Sequence, residues 1–168
     1  MGLFKDLFKP KDVKNEFDVK DFDIVAIADG ELVDVSQVQD EVFSQQMMGK
    51  SIAFQFQKDK VTLCSPANGT LETLFPTGHA FGVKRNDGVE ILIHCGVDTV
   101  SANGDGFTLL KKKQGDPILA GEPIVEVDMK KLSALYDMST MLIITNDNGQ
   151  TIEFIDPQSV VLGQSVLR

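Results

Sequence analysis

The chain contains only two histidines, His79 and His94, and each lies in or beside a short apolar run that predicts a β-strand. Imidazole changes its protonation state near neutral pH, so it can act as a nucleophile, a base or a metal ligand. If the two rings converge, three chemistries are open: phosphoryl transfer through one ring with support from the other, zinc ligation completed by Asp or Glu, and general base catalysis. The alternative is that both histidines are structural.

A turn signal predicts that the two histidines do converge. Asn86-Asp87-Gly88 separates two apolar runs, residues 81–83 and 89–93, and Asp-Gly is a strong hairpin signal. A hairpin here would pair the two runs side by side. We therefore expect His79 and His94 to face each other across paired strands.

Two polar neighbours are candidates for the same site. Thr77 lies two residues before His79 and would share its face on a strand, so its hydroxyl could fix the tautomer of the ring. Asp98 follows His94 by four residues and could orient that ring or meet a cation of a partner. Loop Thr and Asp residues also commonly bond to their own backbone, which leaves a structural interpretation open for both.

Composition narrows the class of protein. The 168 residues fit one domain, 42% are hydrophobic and 24% are charged. The net charge of −9 disfavours a nucleic-acid partner and favours a basic protein partner. Two cysteines, Cys64 and Cys95, are too few for a disulfide framework, which indicates a reducing, cytoplasmic setting. Neither a cofactor nor a metal is expected.

The first twenty residues differ from the rest and predict a flexible tail, followed by one domain at residues 21–168. Four apolar residues of the tail follow a helical spacing, namely Leu3, Phe4, Leu7 and Phe8. Lys5 and Lys9 flank them. This pattern predicts weak peripheral contact of residues 1–10 with the inner face of a membrane. A disordered start without function is the alternative.

The body predicts an all-β fold. Gly and Pro residues divide it into short runs rich in Val, Ile, Leu, Phe and Thr, which is typical of an antiparallel sandwich or barrel. Residues 129–136 predict a single short helix. Residues 28–35 resemble residues 67–74, and this echo indicates a duplicated β motif.

Several motifs occur in the order found in one known family. They are Gly88–Val100, Thr77–Phe81, Val42-Phe43, Met47–Gly49, Ser65–Thr70 and Gly115–Gly121. Together they resemble the glucose-family IIA component of the bacterial phosphoenolpyruvate-dependent sugar phosphotransferase system. The resemblance extends from about Ile24 to Val166 and implies a β-sandwich with a duplicated hybrid motif.

The resemblance also implies a mechanism and partners. His94 would accept a phosphoryl group from the phosphocarrier protein HPr and pass it to a cysteine of the IIB domain of a sugar permease. His79 would hydrogen-bond the phosphoryl oxygens, and Thr77 would orient His79. Asp40 and Asp98 would meet basic residues of the partner. Apolar residues would form a docking face around the histidines, namely Val42, Phe43, Met47, Met48, Phe75, Phe81, Leu92 and Val100.

Alternatives remain beside the carrier function. Phosphorylation of His94 would place charge in an apolar face, so the chain could instead be a regulatory protein whose partners, transporters or kinases, dock only in one state. A zinc hydrolase on a related scaffold needs a His-x-His pair, which is absent. A biotinyl or lipoyl carrier needs a Lys at a hairpin tip, for which Lys111–Lys113 is a poor fit.

Three positions depart from the family pattern. Gly49-Lys50-Ser51 stands where Gly-Asp-Gly is frequent, so we expect an added positive charge near the docking rim. Leu92 stands where an aromatic residue is frequent. Cys95 is unusual beside the proposed phosphorylated histidine, and strand alternation predicts that it points to the opposite face.

Overall fold

The computed structural model describes residues 17–168, so residues 1–16 of the predicted tail lie outside it. Phe17 packs beside Gly121 and Gly163, because a Cβ added at either glycine would come within 2.5 Å of an atom of its ring. The Asn68 side chain donates a hydrogen bond to the Val19 carbonyl at 2.9 Å. Phe17 and Val19, which belong to the predicted tail, thus contact the domain.

Residues 17–168 form eleven strands and two short helices. The strands are β1 (Gly30–Val33), β2 (Lys50–Gln55), β3 (Lys60–Cys64), β4 (Gly69–Leu74), β5 (Ala80–Arg85), β6 (Glu90–Cys95), β7 (Phe107–Leu109), β8 (Pro117–Ile118), β9 (Pro123–Asp128), β10 (Thr140–Asn146) and β11 (Gln158–Val160). The helices are α1 (Glu41–Ser44) and α2 (Met129–Ser133). The predicted all-β class and the helix near residue 129 are confirmed, whereas α1 was not predicted.

Two antiparallel sheets enclose the core. The larger sheet has the strand order β11-β1-β2-β10-β6-β5-β4-β8, and the smaller has the order β3-β9-β7. Ile91 and Ile93 of β6 point inward and pack in one cluster with Leu63 of β3 and Val125 of β9. Cys95 also points inward and is 1% exposed, which confirms the predicted alternation along β6.

The larger sheet consists of two matching halves that meet where β10 pairs with β6. Gly30 of β1 pairs with Val160 of β11, and Gly69 of β4 pairs with Ile118 of β8. Two residues further along β1 and β4, the cross-strand pairing of the two halves also matches. In one half Leu32 pairs with Phe54 and Phe54 with Thr140; in the other Leu71 pairs with Val83 and Val83 with Ile91. This repeat agrees with the predicted duplication of a β motif.

Gly69 is required by the close approach of two strands in one half. A Cβ at this position would lie 1.9 Å from the backbone carbonyl oxygen of Lys84 in β5. We expect Gly69→Ala to lower the free energy of unfolding by about 3 kcal/mol, because the clash is with backbone that cannot move aside without breaking the strand pairing. The measurement is unfolding in urea.

Gly149→Ala is the control for this variant. Gly149 has a φ of +76° but no atom within 4 Å of an added Cβ, so only backbone strain of about 1 kcal/mol is expected. Equal losses for the two variants would contradict the steric explanation.

Candidate functional site

The hairpin of β5 and β6 brings the two histidines together, as predicted. Ala80 of β5 pairs with His94 of β6, and His79 immediately precedes β5. The centroids of the two rings lie 5.3 Å apart, and the ring planes are nearly perpendicular at 80°. One small group bound at either ring would therefore be within reach of the other.

The backbone sets the tautomer of His94. Its Nδ1 lies 2.8 Å from the Gly96 carbonyl oxygen. Because a carbonyl can only accept, Nδ1 carries the proton, and in the neutral ring Nε2 holds a free lone pair. The Phe43 ring packs against the His94 ring with centroids 4.9 Å apart. The geometry thus makes Nε2 the nucleophilic atom of His94.

A side chain orients His79. Its Nδ1 lies 2.6 Å from Oγ1 of Thr77, and the residue is only 5% exposed. The Phe75 ring packs against the imidazole at a centroid distance of 5.2 Å. When the Thr77 hydroxyl donates to Nδ1, the remaining proton lies on Nε2 and makes His79 a hydrogen-bond donor. The predicted contact between Thr77 and His79 is confirmed.

Burial lowers the pKa of both rings below the ordinary value of 6.5. For His79, the electrostatic effect of His94 adds to that of burial. For His94, the Gly96 carbonyl, Asp40 and Asp98 act in the opposite direction without reversing the effect of burial on the pKa. Both rings are therefore neutral at neutral pH, which is the state that a nucleophile requires.

These pKa shifts predict a pH dependence of stability. Unfolding returns both rings to water, so their pKa values rise and the unfolded chain binds more protons than the folded one below about pH 6.5. The stabilisation is complete above that pH and is lost as the pH falls toward the lowered pKa values of the folded state. We expect the free energy of unfolding in urea to drop between about pH 7.5 and about pH 5.5.

The double variant His79→Gln/His94→Gln is the control for this effect. The free energy of unfolding of this variant should drop less over the same pH interval, because it lacks both histidines and shares all other titratable groups with the wild type. A drop of the same size in both proteins would assign the pH dependence to groups other than the histidines.

Most of the predicted docking residues are exposed apolar side chains. The exposed members are Val42, Met47, Met48, Phe75 and Val100. Phe43 is buried against His94, and Leu92 is half-buried. Met47 has the largest exposed fraction, 68%. A partner docking at His94 would meet flexible and aromatic side chains, which suit adaptable contacts.

The prediction is wrong for Phe81. This residue is 1% exposed and pairs with Ile93, whose side chain lies in the core. His79 reaches the site from the turn before β5, so its spacing from Phe81 does not place the two side chains on one face. Phe81 supports the sheet from beneath and offers no surface to a partner.

The two predicted acidic residues lie in the segments that flank His94. Asp40 is the N-cap of α1, where its Oδ1 accepts a hydrogen bond from the Phe43 backbone N–H at 3.2 Å. Asp98 has a left-handed backbone with φ of 59° and is exposed. Within residues 17–168 neither carboxylate has a salt-bridge partner. Both remain available to a basic partner.

Lys50 does not lie at the docking rim, where the sequence analysis predicts its charge. It pairs with Ile144, whose side chain is in the main core, so alternation puts Lys50 on the sheet face opposite to His94. There it lines a surface cavity of about 360 Å³ together with Asp34 and Glu153. The expectation of an added charge at the docking rim is therefore wrong.

Sequence reasoning missed the role of Gly96. Its φ of +80° lets the chain turn sharply after β6 and direct the carbonyl back to His94. The glycine directly after the predicted strand end was the available signal. Met141 of β10 pairs with His94, but the sequence gives no local signal of this pairing because the two residues are far apart in the chain.

The described residues show neither a metal-binding cluster nor a membrane-spanning helix. No group of three or more His, Cys, Asp and Glu side chains in residues 17–168 is arranged to hold a metal ion. The same part of the chain has no helix that is long and apolar enough to cross a membrane.

Comparison with known proteins places this site in a family. Residues 22–150 match the model of the family described as phosphoenolpyruvate-dependent sugar phosphotransferase system, EIIA 1. The glucose-specific EIIA component of Staphylococcus epidermidis is 36% identical over 166 residues, which cover 97% of this chain and 95% of that protein. The structure of glucose permease IIA from Mycoplasma capricolum matches with a TM-score of 0.79 at 36% identity, covering 86% of this chain and 93% of the other.

Longer relatives contain a similar segment. The glucose-specific EIICBA component of Staphylococcus carnosus is 40% identical over 139 residues, which are 82% of this chain but 20% of that protein. A glucoside-specific EIICBA component of the same organism is 39% identical over 145 residues, which are 86% of this chain and 20% of that protein. The chain thus spans about a fifth of the length of these two relatives. Family match, full-length relatives and fold agree, and the chain belongs to the EIIA 1 family of the phosphoenolpyruvate-dependent sugar phosphotransferase system, whose members are phosphotransferase components.

Proposed function

We propose that this chain is a phosphohistidine carrier, which accepts a phosphoryl group from phospho-HPr on Nε2 of His94 and passes it to a cysteine of a IIB domain during sugar uptake. The observation that carries the proposal is the hydrogen bond from Nδ1–H of His94 to the Gly96 carbonyl, at 2.8 Å. This bond leaves Nε2 as the only ring atom with a free lone pair.

The transfer needs no proton movement at His94. In the first step a P–N bond forms at Nε2 while the P–N bond of the donor breaks, and the donor nitrogen recovers its electron pair. In the second step the IIB thiolate forms a P–S bond, and the electron pair of the breaking P–N bond returns to Nε2. Nδ1 keeps its proton and its bond to Gly96 throughout.

His79 stabilises the transferring group in this proposal. Its ring lies beside that of His94, and the Thr77 hydroxyl at 2.6 Å favours the tautomer that donates from Nε2. Charge spreads over the equatorial oxygens of a transferring phosphoryl group, so a fixed donor in a partly buried site lowers the barrier. Thr77 acts through His79.

The docking face supports two partners in turn. Exposed apolar side chains occur in the segments of Phe43 and Phe75, which contact the two histidines, and Asp40 and Asp98 act electrostatically on His94. This combination suits transient association with an apolar surface that carries basic residues. The name EIICBA indicates that these relatives contain an A component and a B component in one chain, which supports a IIB domain as the acceptor. HPr is proposed as the donor on the basis of family membership.

A regulatory function is the second candidate, and the same exposed apolar face favours it. A phosphoryl group on His94 would bring a charge of about −2 into the middle of that face. A transporter or kinase bound there to the unphosphorylated protein would be released by repulsion and the cost of desolvation. The cytoplasmic location and the membrane contact of residues 1–10 remain predictions from the sequence.

Intact-mass spectrometry tests the carrier function. The purified chain is incubated with phosphoenolpyruvate, the general phosphotransferase enzyme and HPr, and a IIB domain is then added. We expect an acid-labile gain of one phosphoryl group, which disappears from this chain as it appears on the IIB cysteine. No gain in mass, with a known IIA protein active in the same mixture, would overturn the proposal. A gain in mass on His94 without transfer to the IIB cysteine would leave the regulatory candidate.

A further inference from the structure

The two peptide groups on either side of Gly96 are hydrogen-bonded to Thr99, to residues 137–139 and, in the second peptide, to His94. In the first, the Cys95 carbonyl accepts a hydrogen bond from the Thr99 hydroxyl at 2.5 Å. The N–H of the same peptide, from Gly96, donates to the Ser139 carbonyl at 3.0 Å. The plane of this peptide is therefore fixed at both of its polar ends.

The second peptide carries the carbonyl that contacts His94. Its N–H, from Val97, donates to the Asp137 carbonyl at 2.8 Å, and its oxygen, from Gly96, accepts from Nδ1 of His94 at 2.8 Å. Because a peptide group is planar, fixing the N–H also fixes the direction of the carbonyl. The turn Asp137–Ser139 thus determines where the Gly96 carbonyl points.

This turn is itself braced by a side chain. Oδ1 of Asp137 accepts hydrogen bonds from the Ser139 backbone N–H at 2.9 Å and from the Ser139 hydroxyl at 2.7 Å. Packing leaves little room for movement, since a Cβ at Gly96 would lie 3.0 Å from the Met138 sulfur. The arrangement is a rigid support for one carbonyl.

Two side chains of this support, Thr99 and Ser139, cannot take part in docking. Thr99 is 0% exposed and Ser139 is 7% exposed, so a protein bound at the surface would not reach their side chains. This separates them from neighbouring Asp98, which is exposed and available to a partner. An effect of Thr99 on phosphoryl transfer would have to act through His94.

We propose that Thr99 and the turn Asp137–Ser139 are positioning residues, which hold the Gly96 carbonyl against Nδ1–H of His94 and so keep Nε2 as the atom that takes the phosphoryl group. The proposal rests on the carrier function proposed above. If the carbonyl turns away, the ring proton is free to move to Nε2, because a neutral imidazole carries its proton on either nitrogen. A ring protonated on Nε2 has no lone pair there to attack phosphorus.

Thr99→Val tests the proposal, because it keeps the shape of the side chain and removes the hydroxyl. Thr145→Val is the matched control, since the Thr145 hydroxyl donates to the Glu90 carbonyl at the other end of β6. Two quantities are measured: the protonated nitrogen of His94 by ¹⁵N NMR, and the initial rate of phosphorylation by HPr. In Thr99→Val we expect most of the proton population to move to Nε2 and the rate to fall about 10-fold, with neither change in the control.

Asp137→Ala keeps the proposal testable if Thr99→Val does not fold. It removes the brace of the turn while leaving the backbone carbonyls of residues 137–139 in place, and it should produce the same two changes. A His94 ring that stays fully protonated on Nδ1 in the folded variants would overturn the proposal, whatever the rate.

The ring measurement needs no phosphoryl donor, so it is independent of the carrier function. If wild-type protein shows the Nδ1–H ring but takes up no phosphoryl group, the carrier function fails and the positioning proposal fails with it as a statement about transfer. If wild-type protein is phosphorylated and the variants leave the ring unaltered, only the positioning proposal fails.

Discussion

The variant His94→Ala is expected to take up no phosphoryl group from phospho-HPr. The other histidine cannot replace it, because His79 is 5% exposed and its Nδ1 is engaged by Thr77. The nucleophile itself is removed, so we expect the rate to fall by at least about 10⁴-fold, comparable to the loss of an essential group in other enzymes. Intact mass after incubation with the donor system measures the result.

Two checks accompany this variant. The far-ultraviolet circular dichroism and the unfolding midpoint should stay close to those of wild type, because His94 is partly exposed and the core side of β6 is unchanged. His79→Ala should still gain one phosphoryl group in the same assay. Phosphorylation of His94→Ala at another residue would show that the acceptor has been assigned wrongly.

The variant His79→Ala is expected to separate uptake from onward transfer. The nucleophile of His94 and its bond to Gly96 remain, so the first step continues. Transfer to the IIB cysteine loses a donor aimed at the phosphoryl oxygens, for which a fall of about 10²–10³-fold is expected. Rapid-quench measurement of phosphoryl loss from His94 to a IIB domain gives the rate.

Thr77→Val and His79→Gln refine the interpretation. Thr77→Val keeps the shape of the residue but removes the hydroxyl that lies 2.6 Å from Nδ1, so onward transfer should slow less than in His79→Ala. His79→Gln supplies an amide N–H near the original donor and should restore part of the rate. If His79→Ala passes its phosphoryl group on at the wild-type rate, His79 has a structural function only.

The local features of the site could be predicted from the sequence because they depend on short-range chemistry. Asn86-Asp87-Gly88 specifies a tight hairpin, and that turn alone brings the segments of His79 and His94 side by side. Thr77 is near enough in sequence to His79 for their contact to be expected. The inward direction of Cys95 follows from alternation along one strand.

The features that could not be predicted depend on distant parts of the chain. The four residues of α1 are too few for a helical periodicity to be visible, and the helix depends on the cap that Asp40 provides and on packing of Phe43. The resemblance implies that Phe81 lies on the docking face, but its pairing with Ile93 directs it into the core. The support of the Gly96 carbonyl comes from residues 137–139, which no local pattern connects to β6.

The site occupies only one of the two matching halves of the larger sheet. The matching cross-strand pairing places Ile143 of β10 at the position that His94 occupies in β6. Ile143 is 1% exposed and packs with Phe43, which follows β1 in the long connection to β2. One half has a short connection between β4 and β5 and carries the reactive ring, while the other has a longer insertion between β1 and β2. That insertion covers its own equivalent position and supplies the aromatic wall of the other half's site, so neither half would make the site alone.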